Sequence, residues 1–219
     1  SKVAYKNGVT ELDLKGHTAT TVDATEYTSV KNGTINSLIM GKSTEAGQYT
    51  LKNVYVGNTL AFNGQSLSIV NSNVRLSSFA NLNSLFVSDN STVRNGWTLN
   101  RGTVRCTDSN WQMNISGEVP IAFEDSTVAG TINSNNVAIY NSRVASSAQI
   151  GITPLTIASP SEHKVFQIVA ENSVFDSDIA FIPGDLYNIY WNVKILNNTF
   201  NGTQGLTCPY WTDLIADGM

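Results

Sequence analysis

The sequence predicts an all-β fold, a single-stranded parallel β-helix (β-solenoid) of about 16–20 residues per coil. Three observations lead there. Apolar and polar residues alternate over short runs along the chain, the mark of strands with one buried face. Each run ends in a short polar corner, Asn or Asp followed most often by Ser, residue types that accept tight or left-handed backbone. The pattern also repeats in register at a short interval, as solenoid units do. At roughly 3.3 Å per residue, such a unit holds about three short strands and three corners, with no room for a helix.

Residues 104–128 contain the unit twice. Val104 and Cys106 precede Asp108-Ser109-Asn110 and Trp111, and Ile121 and Phe123 precede Asp125-Ser126-Thr127 and Val128. The first corner column reads Asn32, Lys52, Asn71, Asn90, Asp108, Asp125, Asn141, Asn172 and Asn197, at spacings of 20, 19, 19, 18, 17, 16, 31 and 25. The next column reads Gly33, Asn53, Ser72, Ser91, Ser109, Ser126, Ser142, Ser173 and Asn198. Three after the corner stand Ile35, Tyr55, Val74, Val93, Trp111, Val128, Val144, Phe175 and Phe200. Two before it stand Val30, Thr50, Ile69, Ser88, Cys106, Phe123, Ile139, Ala170 and Ile195. Four before it, from the third copy on, stand Leu67, Phe86, Val104, Ile121, Val137, Ile168 and Val193. These apolar columns form the expected core, and each buried member contributes about 1.5–3 kcal/mol.

Taken in order, residues 1–30 are expected to form opening coils and residues 31–150 a regular shaft. Residues 151–205 hold coils with loops, because the 31-residue gap before Asn172 replaces a corner by Ala158-Ser159-Pro160-Ser161-Glu162-His163. Ile182 to Asn188 make a second excursion. Residues 206–219, with Cys208-Pro209-Tyr210-Trp211, break the register and read as a C-terminal cap. The whole, 1–219, reads as one domain.

The opening run Leu12-Asp13-Leu14-Lys15-Gly16-His17 alternates inward Leu with outward polar residues and closes on Gly. It resembles the opening of right-handed parallel β-helix proteins that act on or bind polysaccharides, among them pectate-lyase-like enzymes and bacteriophage tailspikes. The resemblance implies a right-handed coil. It also implies a bacteriophage tailspike or tail-fibre segment, a homotrimer on the virion or outside the cell, that recognises bacterial O-antigen or capsule. Such families cap the first coil with an amphipathic helix, and none precedes Leu12, so a fragment of a longer chain is expected. A polysaccharide depolymerase, hydrolase or lyase, on the same fold is one alternative. A purely structural shaft or a secreted bacterial adhesin is the other.

Composition narrows the classes. Hydrophobic residues at 41% and in register argue against disorder, and charged residues are scarce at 14%. A net charge of −4 and a pI near 5.1 disfavour a nucleic-acid groove or an anionic membrane surface. No apolar run approaches the roughly 20 residues that membrane insertion needs. Cys106 falls in an inward column, and a disulfide to Cys208 is left open. No metal constellation stands out, and no cofactor is expected: His17 and His163 are far apart, and no Cys/His spacing suits zinc.

Stacked carboxylates are the candidate catalytic groups. Asp108 and Asp125 share a column in adjacent coils and should lie about 5 Å apart. Asp89 and Glu124 share the column just before, two coils apart, at about 9–10 Å. Separations of about 5–5.5 Å suit a retaining glycosidase and about 6.5–9.5 Å an inverting one. The structural alternative is that Asp merely replaces Asn in the turn. Glu171, Asp176 and Asp178 form a second cluster. For glycan binding, Arg75 and Arg94 stack as an outward basic stripe able to hold sugar acids. Tyr187, Tyr190, Asp185 and His163 lie on the two excursions, where a rigid scaffold presents its loops. Trp191 shares parity with Val193 and Ile195 and is expected in the core.

Overall fold

The structure, a computed structural model, describes residues 8–44, 46–94, 96–152, 164–181, 189–203 and 205–207, with backbone only at 152, 164–166, 181, 189–191, 206 and 207. Among these residues every regular element is a β-strand, and each resolved pairing is parallel. They wind as a parallel β-solenoid of about eight turns with about 18 residues per turn. The chain packs as two compact units. The described residues of one fall in 8–97 and 105–112, and of the other in 98–104 and 113–207.

The second unit shows the three-sided coil most plainly. One side stacks Ile121–Glu124, Asn136–Tyr140, Lys164–Glu171 and Ile189–Leu196. Past the corner, the two-residue strands Thr127–Val128, Arg143–Val144, Val174–Phe175 and Thr199–Phe200 stack in turn. The third side is a separate sheet of Ile115–Gly117, Thr131–Ser134, Gln149–Ile152, Ile179–Phe181 and Leu206–Thr207. Side chains alternate in and out along each strand, so Phe123, Ile139 and Ala170 are buried in one ladder and Ile115, Ile132, Ile150 and Ile179 in another. Phe175 and Phe200 stack with ring centroids 5.0 Å apart.

In the first unit the strands Ser29–Met40 and Gln48–Phe62 run unbroken through the corner. Their register slips between Ile35 and Ser37, where Gln48–Phe62 carries an extra residue as a β-bulge. Leu12 and Leu14 are buried, and the chain turns on Lys15 and Gly16, both with positive φ, as the opening motif leads one to expect. Gly33 of the next coil sits close beneath. A Cβ there would lie 2.6 Å from Leu14 Cβ and 2.8 Å from the His17 carbonyl.

The corners follow one plan. Asn32, Asn53, Asn71, Asn90, Asp108, Asp125, Asn141, Asn172 and Asn197 all adopt left-handed φ between 43° and 63°. Short amide and carboxylate side chains tolerate that conformation best among non-glycine residues. In the first unit the amides form a ladder: Asn71 donates to Asn53 at 2.7 Å, Asn53 to Asn32 at 3.0 Å, and Asn32 to Asp13 at 3.1 Å. Where a serine follows the corner, it turns inward. Ser72, Ser91, Ser126, Ser142 and Ser173 are buried, and each hydroxyl donates to a carbonyl of the strand before it at 2.6–2.8 Å. Ser72, Ser91, Ser142 and Ser173 also accept a backbone N–H of the preceding coil, as in Ser126 to Ser142 and Ser142 to Ser173, both 3.0 Å. A small side chain that both donates and accepts does this without a steric or desolvation cost, and Asn198 plays the same part at the last corner.

Two coils depart from the sequence register by one residue. In the second, the left-handed corner is Asn53 and not Lys52, so Leu51, Val54 and Val56 are buried while Tyr55 is exposed. Thr50 and Tyr55 therefore leave the inward columns. Burying Leu and Val while freeing Lys from a left-handed turn outweighs the regular spacing. In the fourth, Asp89 and Asn90 are both left-handed. That extra corner residue puts Leu85 and Val87 opposite Leu67 and Ile69, with Phe86 and Ser88 outward.

The Ala158–His163 and Ile182–Asn188 excursions, and the cap from Cys208 on, lie outside the described residues, and so does the Cys208 end of any disulfide. Cys106 is fully buried. Tyr190, expected on the second excursion, belongs instead to the strand Ile189–Leu196.

Candidate functional site

Among the candidate acids, Asp108, Asp125 and Asp89 each occupy an exposed left-handed corner, so backbone conformation accounts for the residue type at all three. Asp108 belongs to the first unit and Asp125 to the second. The pairing of Asp89 with Glu124 requires correction. The column before the corner holds Lys31, Lys52, Val70 and Ser88 in the first unit, and Asp89 lies past it. In the second unit Glu124 shares its column with Tyr140 and Glu171. The inserted residue at the fourth corner displaced Asp89, and no spacing rule marks such an insertion.

Two members of the second acidic cluster, Asp176 and Asp178, are brought to one place. The second unit carries an open trough of about 680 Å³ along the separate sheet of its third side. Its floor is the outward column Asn133, Gly151 and Ala180, in register on successive coils, where Gly and Ala in place of larger side chains leave the recess. Asp176, Asp178 and Asn201 line one side, and Gln149 and Ser146 also face it. Asp176 is held by Arg143 Nε at 2.6 Å and Asn201 Nδ2 at 2.8 Å. The Asn201 amide, then the Arg143 guanidinium, hold its carboxyl below the ordinary range against a smaller opposing effect of desolvation. Asp178 accepts the Gly205 N–H at 2.8 Å and the Thr203 hydroxyl at 3.4 Å. Gly202 permits this, since a Cβ there would fall 2.2 Å from Asp178 Oδ1. Glu171 is bound by Lys194 at 2.6 Å and does not line the trough.

Chemically the trough is a row of fixed carboxylates and amides. A carboxylate has about four lone-pair sites, so Asp176 keeps acceptor capacity beyond its two bonds. Asn133, Gln149 and Asn201 both donate and accept. Such a set matches vicinal hydroxyls. Among the described residues no group of three or more His, Cys, Asp or Glu is placed to hold a metal ion.

Arg75 and Arg94 do share a column, following Val74 and Val93, which pair. They are not a matched stripe. Arg94 Nη2 donates to the Val56 carbonyl and, at 3.0 Å, to Gly57, filling the β-bulge, and its guanidinium lies 5.1 Å from the Tyr55 ring centroid. Arg75 alone points out. His163, Asp185 and Tyr187 lie outside the described residues, as do the side chains of Tyr190 and Trp191.

Three exposed aromatics escaped the sequence reading. Tyr55 and Phe86 were hidden by the two one-residue slips. Trp97 is 68% exposed, and its signal was its place just after Asn95-Gly96, where the period-two pattern lapses. No family model, curated protein or solved structure matches the chain.

Proposed function

We propose that this chain is a glycan-recognising segment of a bacteriophage tailspike or tail fibre, acting as a homotrimer that contacts O-antigen or capsule on a bacterial surface. The trough carries this reading. It is open and elongated across coils, and it is lined by carboxylates and amides pinned by neighbours, so a polysaccharide would meet preorganised partners at little entropic cost. The wound sheets beneath supply the rigidity that binding surfaces need. A structural shaft is the second reading, favoured by the carboxylates at Asp89, Asp108 and Asp125 that serve left-handed corners.

Incubation with a panel of capsular and O-antigen polysaccharides, with binding measured and fragments sized, tests the proposal. Binding without shortening, weakened by Gln149→Ala and Asn133→Ala, supports it. Shortened chains would make the segment a depolymerase. Neither binding nor shortening would leave the shaft.

A further inference from the structure

The first unit has a second outward surface, of different chemistry. Past its corners, the column Arg75, Arg94 and Gln112 runs beside the column Tyr55, Asn73 and Thr92. Neither contains a carboxylate. Arg94 is spent on the bulge carbonyls and the Tyr55 ring. Arg75 is exposed and forms no ion pair among the described residues.

Trp97 is mounted next to it. A Cβ on Gly96 would lie 2.2 Å from the Leu76 carbonyl oxygen and 3.5 Å from Arg75 Cγ, so the absence of a side chain lets this segment press against Arg75 and Leu76. The Trp97 N–H then reaches the Leu76 carbonyl at 3.4 Å. The indole is left 68% exposed, the barest large hydrophobic side chain among the described residues. An exposed guanidinium without an ion pair and an exposed indole are thus carried on neighbouring stretches of backbone, with Gly96 against the stem of Arg75.

Each group suits a different part of one ligand. An indole face packs on the C–H face of a pyranose, and a guanidinium takes a carboxylate through two parallel hydrogen bonds. Arg serves this better than Lys because its planar fork is preorganised. We infer that Arg75 and Trp97 form a subsite for a carboxylate-bearing sugar, a uronate or sialate residue of a polysaccharide. This rests on the glycan reading above and adds to it the acidic class of sugar.

The test measures calorimetric binding of polygalacturonate, hyaluronan and polysialic acid, each beside its carboxyl-reduced neutral form, at low and high salt. Wild type is compared with Trp97→Ala, Arg75→Gln and the trough variant Gln149→Ala, with melting followed for all. At least one acidic polymer is expected to bind, with affinity falling at high salt. Trp97→Ala and Arg75→Gln should each weaken it about tenfold or more without changing melting, and carboxyl reduction should erase the effect of Arg75→Gln. Acidic polymers that bind both variants as well as wild type would overturn the subsite and leave the glycan reading standing. Binding confined to neutral polymers, unaffected by either variant, would do the same. No binding to any polymer, here or in the capsule and O-antigen panel, would overturn both.

Discussion

Ser142 tests the corner most directly, because its hydroxyl joins two coils at one buried atom. It donates to the Tyr140 carbonyl at 2.6 Å and accepts the Ser126 N–H at 3.0 Å, and the residue is only 4% exposed. Ser142→Ala removes both bonds without adding bulk. The Ser126 N–H then has no partner and no route to water, which costs about 1–3 kcal/mol, and the lost Tyr140 bond adds about 0.5–1.5 kcal/mol. The expected loss is therefore about 2–4 kcal/mol, or about 5–15 °C in Tm for a chain of this size. Ser147→Ala, at an exposed serine of the same coil, should stay within about 0.5 kcal/mol of wild type. Thermal melts of the pair read the difference, and hydrogen exchange should show faster exchange at the Ser126 amide. If Ser142→Ala melts with Ser147→Ala, the serine column is not what ties the coils at their corners.

Three further outcomes follow from register, close approach and charge. Val128 is fully buried opposite Val144, so Val128→Asp should cost about 4 kcal/mol or more, while Thr127→Asp, on the outward side, should be nearly neutral; equal melting temperatures would refute the register. Gly33→Ala should destabilise by about 1–3 kcal/mol, since its Cβ meets the His17 backbone as well as Leu14, and chemical denaturation would expose the error if stability rose. The folded state holds the Asp176 carboxyl below its unfolded value near about 3.9, so its stabilising effect is complete above that value and lost as pH falls through the lower, folded one. The melting gap between wild type and Asp176→Asn should be constant near neutrality and close in acid; a gap that widens on acidification would contradict the assigned sign.

The chain by itself determined the winding. Period-two alternation, recurrent Asn or Asp corners and a buried position three residues on are local properties, and each recurs often enough to establish a parallel solenoid with inward ladders at Val74, Val93, Val128, Val144 and Phe175. The left-handed corner was legible because Asn and Asp tolerate that φ at low cost. Tertiary packing decided the register where one residue was gained. A corner displaced by one residue, at Asn53 and at Asp89–Asn90, reverses the side chains of the strand leading into it, and only the competition for the interior between Leu51 and Thr50, or Val87 and Ser88, resolves it. The same holds for the sites. Asp176, Asp178 and Glu171 were visible as neighbours in sequence, but the trough depends on Asn133, Gln149 and Gly151 from preceding coils. Arg75 and Arg94 looked alike until one was drawn into the bulge and the other left beside Trp97. Which groups face one another is set by long-range stacking, and two residues of identical type can be assigned opposite roles by a neighbour many positions away.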